Sequence, residues 1–140
     1  MKLLGRSQVK KILKQQGKSS FLNSVEHAID GIQYITSHER NFRIEITFAI
    51  AVTIASFFLK VSLLEWSLLV LVIGMVLALE MVNTAIERCV DLVTKDYKEL
   101  AKIAKDVAAG AVLVMSIFSV VLGILIFLPK IMLILEKIGY

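Results

Sequence analysis

The residues with the clearest potential for chemistry form one polar stripe in otherwise apolar sequence. Between Glu80 and Asp91, polar side chains recur at offsets of 3, 4, 7 and 11 residues, which place them on one face of a helix. A carboxylate in a membrane-spanning helix is costly, so it usually serves a function and faces a protein interior or a water-filled cleft. The stripe consists of Glu80, Asn83, Thr84, Glu87 and Asp91.

Two members of this stripe suit different steps of a reaction. Three apolar turns precede Glu80, and exclusion of water there would suit it to accept a proton near neutral pH, although a packing role beside a lysine is the alternative. Glu87 could ligate Mg²⁺, which commonly takes one or two carboxylates together with substrate phosphates. A second ligand could come from upstream, where spacing does not choose among four candidates: Glu26, Asp30, Glu39 and Glu45.

Composition and charge distribution indicate a membrane protein. The chain has 140 residues, one domain by length, and 57% of them are hydrophobic, more than a water-soluble domain needs. The net charge of +4 does not indicate a nucleic-acid partner, because eight of the sixteen Lys and Arg residues lie in residues 1–43 and the apolar segments hold almost none. That distribution is typical of a membrane protein with a basic cytoplasmic face.

The elements that must position the stripe follow from the apolar pattern, which predicts an all-α membrane protein. Residues 1–20 form a basic tail, and apolar positions from Phe21 to Thr36 recur at steps of three and four, which predicts an amphipathic helix at the interface with Ser20 as its N-cap. The rest, within a domain of residues 21–140, supplies three spanning helices, the last closed by Pro129. The predicted spans are residues 43–64, 66–86 and 107–128.

The basic residues also predict an orientation. The N-terminal region and the segment between the second and third spans carry most of the Lys and Arg residues, whereas the first connection has only Lys60. Both basic regions should therefore face the cytoplasm, which places the stripe at the cytoplasmic end of the second span. A lysine beside the third span, Lys105, could bind phosphate or could simply anchor the helix at the interface. No glycine-rich phosphate loop is present, so any nucleotide must be bound by another scheme.

Three blocks of this sequence together resemble a known family. They are Glu39-Arg40-Asn41-Phe42-Arg43, the stripe from Glu80 to Asp91, and Ala104-Lys105-Asp106 with the small residues after it. In this order and spacing they resemble the small bacterial membrane kinases of the diacylglycerol kinase family, over roughly residues 20–128. The basic tail and the Pro129-Lys130 ending resemble the Gram-positive branch, whose preferred lipid is undecaprenol.

The resemblance implies a homotrimer in the cytoplasmic membrane, with active sites shared between neighbouring chains, that transfers the γ-phosphate of MgATP to a lipid hydroxyl. It makes Glu80 the general base and Glu39 and Glu87 the ligands of Mg²⁺. Asn83 matches the residue packed beside the base and is grouped with the nucleotide-binding residues. The other nucleotide-binding residues that the resemblance implies are Asp91, Asp96, Tyr97, Lys98, Lys105 and Asp106.

Undecaprenol is the expected lipid substrate, and diacylglycerol is the alternative, since both present a primary hydroxyl. Two hypotheses from other classes are an ion-conducting oligomer and a membrane scaffold whose stripe binds a partner helix. The ion-conducting hypothesis predicts carboxylates throughout the membrane depth, whereas here they gather at one end. The scaffold hypothesis predicts no phosphoryl transfer.

Overall fold

Four α-helices make up the structure, a computed structural model that describes the backbone of residues 6–139 and the side chains of residues 21–139. No strand occurs within this described part, so the predicted all-α class is confirmed. By its internal contacts the chain divides into two units, Met1–His38 and Glu39–Tyr140. The helices are α1 (Arg6–His38), α2 (Arg40–Phe58), α3 (Leu63–Val93) and α4 (Glu99–Ile138).

The first unit contains the single helix α1. Its helix does not begin at Ser20 as predicted, because α1 is continuous from Arg6. The lysines and glutamines before Ser20 are good helix formers, and the helix continues through Gly17 although glycine is unfavourable in a helix interior. Part of the predicted basic tail, residues 1–5, lies outside the described residues, and the tail's division from the kinase domain stays a prediction.

The first spanning helix is shorter than predicted. α2 ends at Phe58 rather than near residue 64, and Lys60 lies in the following turn with a positive φ of 51°. A residue in the left-handed region does not continue a right-handed helix, which explains the early end. Lys60 is therefore a turn residue and not the terminal residue of the first span.

The second spanning helix, α3, begins at Leu63 with a capping box, three residues before the start at Trp66 that the sequence pattern predicts. The backbone N–H of Glu65 donates to Ser62 Oγ at 3.3 Å, and the backbone N–H of Ser62 donates to Glu65 Oε2 at 2.6 Å. These two bonds satisfy amide groups that would otherwise lack partners at the helix start. They also fix the tight connection between α2 and α3.

Helix α4 continues through Pro129 to Ile138, so the prediction that Pro129 closes the third span is wrong. Proline lacks an amide N–H and costs one helical hydrogen bond, but spanning helices tolerate it where their surroundings compensate. Here the next residue, Lys130, donates through Nζ to Glu65 Oε2 at 2.9 Å. This ion pair ties α4 to the capped start of α3.

The three helices α2, α3 and α4 are each long and apolar enough to cross a membrane, as predicted. The chain reverses direction between successive helices, and α4 packs along α3 more extensively than α2 does. A small core at the end opposite the stripe contains Val61, Leu69 and Ile126, with Trp66 packed against it. Many outward-facing apolar side chains are exposed in the isolated chain, as helices that face lipid require. Examples are Phe57, Val70, Phe118 and Leu125.

The capping box predicts a measurable contribution to stability. Replacing Ser62 with Ala removes the side-chain acceptor of the Glu65 amide and should lower the free energy of unfolding by about 1 kcal/mol. Ser67→Ala is the matched control, because the Ser67 hydroxyl only donates back to the Leu63 carbonyl within the same helix. Both variants can be compared by reversible unfolding in detergent, followed by Trp66 fluorescence. Equal stability of the Ser62→Ala variant and the native chain would contradict the role of the cap.

Candidate active site

The polar stripe of α3 passes from a buried to an exposed environment along the helix. Glu80 and Asn83 are 4% and 7% exposed, and Thr84 is buried beside them. Glu87 is half-buried, and the side chain of Asp91, one turn further on, is 45% exposed. The stripe therefore joins an interior that excludes water to a surface that water reaches.

Asn83 forms a hydrogen bond with Glu87. Its Nδ2 donates to Glu87 Oε1 at 3.2 Å, the i, i+4 spacing that places two side chains together on a helix. Asn83 Oδ1 is buried and has no hydrogen-bond partner within the described chain. The amide thus orients the carboxylate of Glu87 and leaves one buried acceptor, which can receive a donor from a bound substrate.

The start of α2 brings Glu39 to this end of α3. Glu39 is the N-cap residue of α2, and its Oε1 accepts a hydrogen bond from Arg88 Nη2 at 2.5 Å. Phe42, one turn into α2, is buried and fixes this end of the helix. The negative charges of Glu39 and Glu87 both act on the carboxyl group of Glu80, which places all three acidic groups in one cluster.

This carboxylate cluster, defined as Glu39, Glu80 and Glu87, has the donor chemistry that a hard divalent cation requires. Glu39 and Glu87 each accept one hydrogen bond through Oε1, which leaves acceptor sites on Oε2. Two carboxylates with room for phosphate oxygens fit Mg²⁺. Within the described residues, no group of three or more His, Cys, Asp or Glu side chains is arranged so that it could hold a metal ion.

A polar concavity of about 470 Å³ adjoins the exposed end of the stripe, between the end of α3 and the start of α4. Lys105 Nζ donates to Asp91 Oδ1 at 2.5 Å across this concavity. Within α4, Lys102 Nζ pairs with Asp106 Oδ2, also at 2.5 Å. The predicted nucleotide residues other than Asn83 all line it. They are Asp91, Asp96, Tyr97, Lys98, Lys105 and Asp106.

An apolar cavity of about 580 Å³ lies between α2, α3 and α4. Glu45 lines its end nearest to Glu80, and the far end reaches Leu69 and Ile131. Glu45 Oε2 is buried without a hydrogen-bond partner within the described chain, and the charge of Glu80 acts on this carboxyl group. The remaining lining is nearly all aliphatic or aromatic, with the hydroxyls of Ser116 and Ser119 as further polar groups.

The structure thus brings together most of the residues that the sequence singled out, and it draws attention to two that the sequence does not select. Glu45 is one of four open candidates for a metal ligand, and its position six residues after Glu39 gives no reason to prefer it. Arg88 is by sequence only one of several basic residues between the second and third spans. Its contact with Glu39, 49 residues earlier, has no local sequence signal.

Fold and site together define an integral-membrane protein that has a carboxylate cluster, an apolar cavity and a concavity lined by charged residues. Comparison with known proteins identifies the family. A family model described as prokaryotic diacylglycerol kinase matches residues 26–127. The chain therefore belongs to the prokaryotic diacylglycerol kinase family and is a membrane lipid kinase, which removes the scaffold and ion-conducting hypotheses.

Individual relatives agree with this family. An undecaprenol kinase of Bacillus subtilis is 47% identical over 110 residues, which cover 79% of this chain and 89% of that protein. A diacylglycerol kinase of Synechocystis is 41% identical over 114 residues, or 81% of this chain and 65% of that protein. A diacylglycerol kinase of Helicobacter pylori is 30% identical over 105 residues, or 75% and 82%.

The contact between Asn83 and Glu87 predicts the effect of a charge introduced into the cluster. In Asn83→Asp, a buried carboxylate replaces the donor to Glu87, so a bond is lost and like charges face each other. The free energy of unfolding in detergent at pH 8 should fall by about 1–3 kcal/mol. Thr84→Ser, which keeps a hydroxyl at the neighbouring buried position, is the control. A variant with native stability would show that Asn83 does not support the cluster.

Proposed function

We propose that this lipid kinase transfers the γ-phosphate of ATP to the hydroxyl group of undecaprenol, with Glu80 as the general base. The observation that carries the proposal is that the polar stripe connects two environments. The charge of Glu80 acts on Glu45, which lines an apolar cavity, and Asp91, on the same stripe as Glu80, lines a polar concavity. A reaction between a membrane lipid and a water-soluble phosphate donor needs both environments at one catalytic group.

The apolar cavity suits the lipid. Phe48 and Val120 line it and are themselves largely exposed, so the cavity is open to the lipid that surrounds the helices and a chain can enter sideways. Aliphatic walls give little directional preference, whereas Glu45, on which the charge of Glu80 acts, lines the cavity and can hydrogen-bond a hydroxyl. The lipid would thus bind with its hydroxyl group towards the cluster.

The polar concavity suits the nucleotide. Lys105 already pairs with a carboxylate there, and an ammonium group in this position can instead pair with a phosphate. Tyr97, which is 79% exposed at the rim, offers an aromatic face for a base. Mg²⁺ held by Glu39 and Glu87 would neutralise phosphate charge where the two substrates meet.

The reaction then proceeds with balanced bonds. The lipid oxygen attacks the γ-phosphorus, the bond from that phosphorus to the bridging oxygen of ADP breaks, and the hydroxyl proton passes to Glu80. The protein takes little part in the covalent chemistry, so most of the rate acceleration must come from positioning the two substrates and from stabilising the charge on the phosphate groups. The low exposure of Glu80 keeps competing water from the same phosphorus.

Assembly and orientation complete the proposal. We infer a homotrimer in the cytoplasmic membrane with the N-terminus in the cytoplasm, from the family resemblance and from the basic residues beside the polar concavity. α1 would lie at the cytoplasmic interface, and the exposure of its apolar side chains Phe21 and Leu22 supports this position. The nucleotide would then reach Lys105 from the cytosol.

Diacylglycerol is the second candidate substrate. The relatives from Synechocystis and Helicobacter pylori are named diacylglycerol kinases, and the apolar cavity excludes neither lipid. The higher identity and coverage of the Bacillus subtilis undecaprenol kinase favour undecaprenol.

A direct assay separates the two substrates. The purified protein is incubated with Mg²⁺ and γ-labelled ATP in mixed micelles that contain either lipid. We expect kcat/KM to be at least about tenfold higher for undecaprenol, the usual discrimination when an apolar site fits one chain better. Equal or reversed rates would reject undecaprenol as the preferred lipid, and no transfer to either would reject both.

A single substitution tests the base. Glu80→Gln keeps the size of the buried side chain but cannot accept the proton, so turnover should fall by about 10²–10⁴-fold. Size-exclusion and crosslinking measurements should still show the native fold and assembly. Glu136→Gln, the same change near the exposed end of α4, is the control and should keep native turnover. Native activity in Glu80→Gln would mean that another group takes the proton.

A further inference from the structure

Among the described side chains, Arg88 is the one arginine that contacts a residue of the carboxylate cluster. It follows Glu87 on α3, and its Nη2 lies 2.5 Å from Oε1 of Glu39 at the start of α2. The side chain of Glu39 is 22% exposed and that of Arg88 is 50% exposed, so the bond lies at the rim of the cluster. This contact connects the two segments that supply the carboxylates.

The backbone of α2 does not by itself fix the carboxylate of Glu39. Glu39 occupies the N-cap position, yet its side chain makes no capping hydrogen bond. A glutamate side chain has several rotatable bonds, and ordering it costs conformational entropy unless a partner holds it. The guanidinium group is planar and presents donors in a fixed geometry, so it can hold a carboxylate in one orientation.

Charge balance gives Arg88 a second effect on the same group. The negative charges of Glu39 and Glu87 act on Glu80, while Lys105 is engaged with Asp91. Arg88 places a positive charge beside one of these two carboxylates, Glu39. Because Arg88 Nη2 contacts Oε1, the lone pairs of Glu39 Oε2 are left available.

We propose that Arg88 is a positioning residue for the divalent cation of the reaction. It holds Glu39, the ligand from α2, in the orientation in which Glu39 and Glu87 can bind one cation together. This inference rests on the proposed function, since it takes Glu39 and Glu87 as the ligands. Arg88 itself contacts no metal; it acts through Glu39.

Two effects of removing Arg88 oppose each other, and their magnitudes decide the expected sign. Loss of a nearby positive charge would favour a cation, but Arg88 is half exposed and water screens its charge. Loss of the hydrogen bond frees the carboxylate of Glu39, and removing such an outer partner of a metal ligand typically weakens metal binding by about 10–100-fold. We therefore expect weaker binding.

Metal binding without turnover is the primary test. The detergent-solubilised full-length protein is titrated with Mn²⁺, as a paramagnetic substitute for Mg²⁺, and free Mn²⁺ is followed by electron paramagnetic resonance without nucleotide or lipid. Arg88→Ala should raise the Kd by about tenfold or more. Arg88→Lys, which keeps the charge but offers a single point of contact, should recover part of the affinity.

Kinetics provide the second measurement. In the lipid kinase assay, the Mg²⁺ concentration at half-maximal rate should rise in Arg88→Ala by a similar factor, while the KM for the lipid stays native. Lys130→Ala is the matched control, because it removes another ion pair between helices, at the opposite end of the bundle. It should reduce thermal stability and leave Mn²⁺ affinity unchanged.

The outcomes separate this inference from the proposed function. Unchanged or tighter Mn²⁺ binding in Arg88→Ala would overturn the positioning role, and so would an equal loss of affinity in Lys130→Ala, which would indicate a general effect of destabilisation. A native chain that binds Mn²⁺ but phosphorylates no lipid would overturn the proposed function, while the comparison of Arg88→Ala with the native chain would still decide the inference.

Discussion

The repulsion and desolvation of three carboxylates at the end of an apolar helix constrain everything around them. Like charges repel more strongly where little water surrounds them, and burial raises the cost of each charge further. Glu80 is almost fully buried, and both Glu39 and Glu87 act on it. Such a cluster persists only where neighbouring groups hold it, and the contacts of Asn83 and Arg88 do so.

The helical bundle provides that support because ion pairs join its helices at both ends. At the site end, Arg88 joins α3 to Glu39, the N-cap residue of α2, and Lys105 joins α4 to Asp91 on α3. At the opposite end, Lys130 joins α4 to Glu65 in the capping box of α3. Between these ends the contacts are apolar and non-directional, and the cavity leaves part of the interior unfilled. The polar contacts therefore set the register of the helices at the site.

Sequence periodicity was sufficient for features that depend on one helix alone. The stripe from Glu80 to Asp91 follows directly from helical spacing, and the three spanning helices follow from their apolar composition. The predicted helix ends were less accurate than the predicted helices themselves. They depend on local geometry and on partners elsewhere in the chain, as three features show: the positive φ of Lys60, the capping box of Ser62 and Glu65, and the continuation of α4 through Pro129.

Contacts between helices could not be derived in the same way. Spacing left Glu39 as one of four candidates, and only the family resemblance selected it. The partnership of Glu39 with Arg88 joins residues 49 positions apart and required the arrangement of α2 against α3. Glu45 carries no distinguishing pattern either, and its importance comes from a buried oxygen at the end of the cavity.

Under the proposed function, the change of environment along α3 would let one helix serve two substrates that do not mix. The lipid hydroxyl would approach from the apolar cavity, whose lining includes Glu45, a residue on whose carboxyl group the charge of Glu80 acts. The nucleotide would approach from the polar concavity, past Asp91 and Lys105. Neither substrate would then have to cross the other's environment. A rise of about 1.5 Å per residue separates Glu80 from Glu87 by roughly 10 Å along the helix axis, which would leave space for the transferred phosphate between the proposed proton acceptor and the proposed metal ligand.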